Sequence, residues 1–412
     1  MFREDFIMKS VKSLLRDAMQ VKPASKRGAR QKTSTPKGVI RLNYNENNYG
    51  PAPEVKQFLI DHVSMSNQYQ DFFAVDLKRA IAKFYGIDKT AKEATETNEF
   101  GETCNPEDYV VIGAGSSAII DMTGEIFLNP GDEVIYCMPS YDAFADMVSD
   151  YGGVRVEIPL TKDFKYDLDA MYNAITKKTK IVVVVNPNNP TGTYINSHEV
   201  EAFVRKVHAK AAELHKDDEE DIIVVVDEAY YEYIDDPTHY SLIEMIQKGY
   251  DRPLIVQRTF SKAYGLAGMR IGYGITQPSM ADALIKACQA WNYPGPGLMA
   301  CEEALKHQDY IKEIRAKNVR NRNYVAESLE KLGFMVVPPA GNFIFFGAPE
   351  DASDEMKAIM DPMRIKKELA ARKIMIGAPW GHSRVSIGTS EECHMFIAAM
   401  EEIVSGKKAM AV

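Results

Sequence analysis

Four short segments carry residue types that can do chemistry, and each follows an apolar run. In "GAGSSAI" (113–119), Gly115, Ser116 and Ser117 open a helical pattern, and the free N–H groups of a helix start can hold a phosphate. "NPNNPTG" (186–192) follows "KIVVVV". "DEAYYEY" (227–233) follows "IIVVV", a run that carries the Asp227 carboxylate to the edge of a buried sheet. "TFSKAYGLAGMRIGY" (259–273) sets one lysine, Lys262, among small residues, with Arg270 eight positions on. Taken singly these are ordinary features: a tight turn, a helix cap, a solvated lysine. Taken together they supply a phosphate cradle, a carboxylate and a primary amine.

The elements between them explain how they meet. From Tyr109 the chain alternates β-branched runs with amphipathic stretches. Strands are expected at 109–113, 133–138, 154–159, 180–185, 222–226, 254–258 and 270–275, and helices at about 116–128, 141–150, 198–215 and 280–290. Continuous apolar strands separated by helices imply an α/β fold whose mostly parallel sheet is covered on both faces. Ligands of such sheets sit beyond the carboxyl ends of the strands, which is where all four segments fall. Upstream, helices are expected near Pro53–Met65 and Phe73–Tyr85, and the polar, acidic stretch 88–107 reads as a surface insertion. From about Lys306 a long charged helix, "GFMVVPPAGNFIFF", a helix near 361–373, "KIMIG", "SRVSIG" and a last helix read as a small α+β unit.

Composition narrows the classes. The chain has 412 residues, 45% hydrophobic and 26% charged, with a net charge of -9, which gives no general attraction to nucleic acid or anionic lipid. Its first 38 residues run against that balance, with ten Lys or Arg against three acids. This arm lacks the apolar core of a secretory signal, and no run elsewhere is long enough to span a membrane. Its Lys, Arg and Ser content also suits a transit peptide, but a flexible or dimer-embracing arm is the preferred reading. Five cysteines without CxxC pairing fit a reducing, cytoplasmic setting and give no metal site.

In this order the segments, with "NENNYGP" near the start and "SRVSIGTSEE" near the end, resemble the fold type I, pyridoxal-phosphate-dependent class I/II aminotransferases, and among them the histidinol-phosphate aminotransferase subfamily. The resemblance implies a mostly parallel seven-stranded sheet sandwiched by helices, with a smaller α+β domain. It implies the basic arm at 1–38, a segment at 39–70 serving the small domain and a dimer contact, a large cofactor-binding domain at 71–300 and a small domain at 301–412. It implies pyridoxal 5'-phosphate as cofactor, an amino donor and a 2-oxo acid exchanged by a ping-pong mechanism, and a homodimer. Lys262 would form the Schiff base and shuttle the proton, which an aldehyde cofactor requires of a primary amine. Asp227 would pair with the pyridine nitrogen, Tyr230 and Asn189 with the phenolic oxygen, and Tyr141 would stack on the ring. Gly115, Ser116, Ser117, Thr259, Ser261 and Arg270 would share the phosphate, joined by Tyr69 from across the dimer. Arg384 would take the substrate's acidic group, with Asn342 and Tyr49 lining the substrate side.

The match loosens in three places. Histidinol-phosphate enzymes usually carry a second arginine just after the strand that here reads "KIMIG", where this chain has Gly377; losing one charged partner costs a phosphate ~1.5–3 kcal/mol. With Trp380 and His382 close by in sequence, an aromatic amino acid becomes an expected donor beside histidinol phosphate. Asn48 stands where proline is usual, and the 88–107 insertion is long. Two other classes compete: another reaction on the same scaffold (decarboxylase, lyase or racemase), and a cofactor-binding regulator, for which the 38-residue arm with Pro23, Gly28 and Pro36 offers no helix-turn-helix.

Overall fold

The computed structural model describes residues 38–87, 104–216, 220–289 and 291–406. The basic arm and most of the 88–107 stretch lie outside them. A short first strand, β1 (Ile40–Leu42), leads through "NYNENNYGPA" into α1 (Pro53–His62) and then α2 (Val75–Phe84). The main sheet follows, built from β2 (Val110–Gly113), β3 (Glu133–Met138), β4 (Val154–Pro159), β5 (Thr179–Val185), β6 (Ile223–Asp227), β7 (Leu254–Thr259) and β8 (Gly272–Ile275). Its order is β2-β8-β7-β6-β5-β3-β4.

Strands β4, β3, β5, β6 and β7 pair in parallel, whereas β8 runs antiparallel to both β7 and β2. That one reversal has a local cause. Parallel neighbours need a crossover, usually a full helix, but the twelve residues 260–271 that join β7 to β8 hold only one short helical turn, Ala267–Met269, and turn back along the same edge of the sheet. The lysine segment is therefore held at the carboxyl end of β7, next to the ends of β6 and β5.

The valines of β5 and β6 are buried on both faces, as expected of strands covered by two helical layers. Helix α3 (Ser116–Phe127) packs under β2 and β8, and α4 (Asp142–Asp150) packs on α3 and β4. Helix α5 (Ser197–Leu214) buries Val200, Phe203, Val204, Val207 and Ala211, a stripe at helical spacing. Its N-cap Asn196 accepts a bond from the His198 N–H at 3.0 Å.

Where the reading of the sequence and the structure differ, backbone chemistry accounts for it. The strand expected from 270 begins at Gly272, because Arg270 adopts the left-handed region at φ 55°. The helix expected at 280–290 is α6 (Pro278–Ile285), and a further helix, α7 (Gly295–Leu305), follows; its "GPG" start reads as a turn but places proline in the first helical turn, where no N–H is needed.

A second core gathers beyond α8 (Gln308–Lys331). Strand β10 (Phe343–Gly347) lies between β9 (Met335–Val336) and β12 (Ser383–Ser386), both antiparallel to it, and packs with α9 (Pro362–Ala371) and α10 (Ser390–Val404). Strand β11 (Ile374–Ile376) pairs in parallel with β1, so the first strand of the described residues belongs to the C-terminal core. Leu42 packs there, and the residues just after it lie between the two cores.

Candidate active site

At the carboxyl edge of the main sheet, beside the second core, a cavity of about 530 Å³ opens. Ser116 and Ser117 face it from the first turn of α3. The preceding Gly115 sits at φ 84°, where any Cβ would run into the Arg270 guanidinium. Arg270 is anchored by bonds from Nη1 to the Ala267 carbonyl (3.0 Å) and from Nη2 to the Ala114 carbonyl (3.4 Å). Thr259 Oγ1 donates to Ser261 Oγ at 2.9 Å, and both residues line the same corner. A helix start, four hydroxyl side chains and a guanidinium thus converge, the donor set of a phosphate cradle.

Across the cavity, Asp227 ends β6 and is 3% exposed. Its Oδ1 accepts from the Ala229 N–H at 2.9 Å. Burial pushes its carboxyl up to about 6, against the opposing pull of the Ala229 N–H, the Gln257 amide and the Lys262 charge. Gln257 is its register partner on β7, fully buried, and its amide makes no bond of normal geometry among the described residues. Tyr230, three residues later, is also buried; its hydroxyl accepts from Asn45 Nδ2 at 3.1 Å and its ring meets Phe343 edge-on at 4.9 Å.

Lys262 projects from the β7–β8 link, with Nζ 3.1 Å from the Tyr44 carbonyl and 5.3 Å from the Tyr230 ring centre. Desolvation first, then the Arg384 charge, lowers its amine to about 8, while Glu46 and Asp227 pull the other way. Tyr141, half-buried at the start of α4, bonds Ser117 Oγ through its hydroxyl at 3.0 Å. Arg384 reaches in from β12: Nη1 donates to Asn189 Oδ1 at 2.6 Å and Nη2 to the Asn43 carbonyl at 2.8 Å, while its buried Nε has no partner among the described residues.

Thirteen of the residues singled out in the sequence are therefore placed by the fold as follows. Ser116, Ser117, Tyr141, Asn189, Asp227, Tyr230, Thr259, Ser261, Lys262, Arg270 and Arg384 line one cavity, Gly115 lies against it behind Arg270, and Tyr69 lies apart. Tyr69 is 83% exposed and packs on Trp291, with ring centres 4.7 Å apart. Asn342 and Tyr49 do not line the cavity, contrary to expectation. Asn342 is 1% exposed because its amide is spent on the Asn45 and Glu46 carbonyls, fixing that segment from behind. The Tyr49 hydroxyl turns away to Asn321 Nδ2 at 3.2 Å, and its ring lines a different groove with Lys317 above it.

Residues missed in the sequence are Tyr44, Glu46 and Asp142, which line the cavity, and Gln257 beside Asp227. The first two lie in a turn-rich stretch without periodicity. Gln257 carried a signal, a polar residue within an apolar strand. Among the described residues no group of His, Cys, Asp or Glu is placed to hold a metal, and no helix is long and apolar enough to cross a membrane.

The comparisons agree with this geometry. Residues 37–400 match the family described as aminotransferase class I and II. The histidinol-phosphate aminotransferase 1 of Cupriavidus pinatubonensis is 31% identical over 366 residues, covering 88% of each chain. The histidinol-phosphate aminotransferase of Brevibacillus brevis is 31% identical, covering 89% of this chain and 91% of its own. The crystal structure of histidinol-phosphate aminotransferase from Sinorhizobium meliloti in complex with pyridoxal-5'-phosphate superposes with a TM-score of 0.74 at 27% identity, covering 89% of this chain and 91% of that one.

Proposed function

Because the chain belongs to the class I and II aminotransferases, we propose that its cavity holds pyridoxal 5'-phosphate and moves an amino group from a donor amine to a 2-oxo acid by ping-pong exchange. The observation that carries this reading is the placement of Lys262 and Asp227 in one cavity, with the Ser116–Arg270 cradle at its end.

The residues fit the cofactor. The phosphate falls to Ser116, Ser117, Thr259, Ser261, Arg270 and the N–H groups after Gly115. Asp227 would face the ring nitrogen, Tyr230 and Asn189 the phenolic oxygen, and Tyr141 the ring face, where stacking geometry would add about 0.5–1.5 kcal/mol beyond burial. Bound there, the cofactor supplies a cationic ring that accepts the electrons of a broken Cα–H bond. Asp227, charged above about pH 6, keeps that ring protonated. Lys262 anchors the cofactor through Nζ. The same nitrogen would be the base that takes the donor's Cα proton, and an amine lowered to about 8 is more often neutral near pH 7 than an ordinary lysine. Arg384 receives the donor's anionic group through a guanidinium already oriented by Asn189 and Asn43.

Relatives named histidinol-phosphate aminotransferases make histidinol phosphate a donor to test, with aromatic amino acids beside it. Tyr69, exposed in the single chain, reaches the cofactor phosphate of a second copy, so the enzyme works as a homodimer. None of its five cysteines forms a disulfide, which suits the cytoplasm. The test follows the visible absorbance of the purified protein. Transamination converts it to the aminated cofactor on adding donor, releases one oxo acid, and restores it on adding a 2-oxo acid. A lyase, decarboxylase or racemase regenerates the original spectrum without an acceptor.

A further inference from the structure

A chain of hydrogen bonds behind Tyr230 gives Asn45 and Ser386 a role, an inference that rests on the cofactor reading above. Asn45 is 1% exposed and also lines the cavity. It lies in a stretch that meets three site residues in succession. The Asn43 carbonyl takes Arg384 Nη2, the Tyr44 carbonyl takes Lys262 Nζ, and the Asn45 side chain reaches Tyr230. Asn45 itself sits at φ 55°, in the left-handed region that asparagine and glycine enter at least cost.

Only one orientation of the Asn45 amide uses every proton around it. Ser386 Oγ accepts from the Asn45 main-chain N–H at 2.8 Å and gives its own single proton to Asn45 Oδ1 at 3.1 Å. With Oδ1 so occupied, Nδ2 faces Tyr230, whose hydroxyl oxygen accepts from it at 3.1 Å. Among the described residues that hydroxyl has no other hydrogen-bond partner, so its own proton is left for the cavity. Ser386 is also the register partner of Phe343, the ring that meets Tyr230 edge-on. One sheet of the C-terminal core therefore fixes both the Tyr230 ring and the polarity of its hydroxyl.

We infer that Asn45 is a positioning residue, locked by Ser386, that makes Tyr230 a hydrogen-bond donor to the cofactor's phenolic oxygen. A donor there stabilises the anionic oxygen. It thereby lowers the pH at which the proton shared between that oxygen and the Lys262 nitrogen is lost. Asn45 acts only through the Tyr230 hydroxyl, and Ser386 only through Asn45.

The test has two arms. In the first, the visible absorbance of the holoenzyme is titrated against pH. Asn45→Gly keeps the left-handed backbone and removes the amide, and it should move the absorbance midpoint upward by about one pH unit, the scale of one hydrogen bond. Ser386→Ala, which frees the amide to turn, should move it the same way by less, and it carries this arm if Asn45→Gly does not fold. Tyr230→Phe should move the midpoint at least as far as Asn45→Gly does, and combining the two should move it no further. A midpoint that stays in place or falls in both Asn45→Gly and Ser386→Ala overturns the inference. So does an Asn45→Gly shift of equal size with Tyr230 and with Phe at that position, the mark of a merely structural role. The second arm unfolds the cofactor-free protein in urea. The double variant should lose less in midpoint than the sum of the losses of Asn45→Gly and Tyr230→Phe, and strict additivity overturns the bond between them. If pyridoxal phosphate gives the parent protein no visible band, the cofactor reading fails, and the urea arm still decides whether Asn45 holds Tyr230.

Discussion

Arg384 Nη1 lies 2.6 Å from Asn189 Oδ1, a bond that joins a strand of the C-terminal core to the loop after β5 of the main sheet. The guanidinium proposed to receive the substrate is thus aimed by a residue that follows a strand of the main sheet and lines the same cavity.

Asn189→Ala removes that orientation. A charged hydrogen bond contributes ~1.5–3 kcal/mol, so kcat/KM should fall by about 10- to 100-fold, with much of the loss in KM for donors that carry a carboxylate. Steady-state kinetics with a carboxylate donor and with the corresponding amine lacking the carboxylate separates this role from the contact to the cofactor oxygen, because only the first depends on the carboxylate.

Asp227 gives a pH signature in the cofactor-free protein. Its folded carboxyl is raised to about 6 from an ordinary value of 3.8. Stability tied to the protonated form is complete below the ordinary value and is lost as pH rises through 6, a cost of ~2–3 kcal/mol at neutral pH. Cofactor-free Asp227→Asn should therefore melt higher than the parent protein at pH 8 and equal to it near pH 4. The loaded variant should lose about 100- to 1000-fold in kcat, the range for one preorganised charge.

Gln257→Leu removes an amide that favours the charged form of Asp227. The stability crossover of the cofactor-free protein should move to higher pH, and the pH at which activity rises should move with it. Gln257→Glu, which places a like charge there, should move both further still.

Lys262 titrates near 8, because burial and the Arg384 charge oppose protonation. The neutral amine is the reactive form, so uptake of pyridoxal phosphate by the cofactor-free protein should accelerate as pH rises through about 8 and level off above it. Lys262→Arg should abolish the profile. Stopped-flow absorbance reads both.

Much of this was legible in the sequence. Asp227 at the end of "IIVVVD" could be placed because a buried parallel strand is an apolar run whose end is marked by the first polar residue; Lys262 followed from the family resemblance, since "LIVQRT" carries polar residues inside its strand. Ser116 was legible from the glycine before a helix. Tyr44, Glu46 and Asp142 were not: they sit in or beside irregular segments, and their aim is set by contacts hundreds of residues away, such as Asn342 bonding the Asn45 and Glu46 carbonyls. Asn342 and Tyr49, expected on the substrate side from the family match, lie outside the cavity lining, since a motif match does not fix which way a side chain turns.

The account rests on one covalent anchor. Borohydride treatment of the yellow protein, followed by tryptic digestion and mass spectrometry, fixes and locates the cofactor. The label should appear on a single peptide, Thr259–Arg270, uncut at Lys262, because a modified lysine blocks trypsin. Label on any other lysine, with Thr259–Lys262 released unmodified, would contradict the assignment.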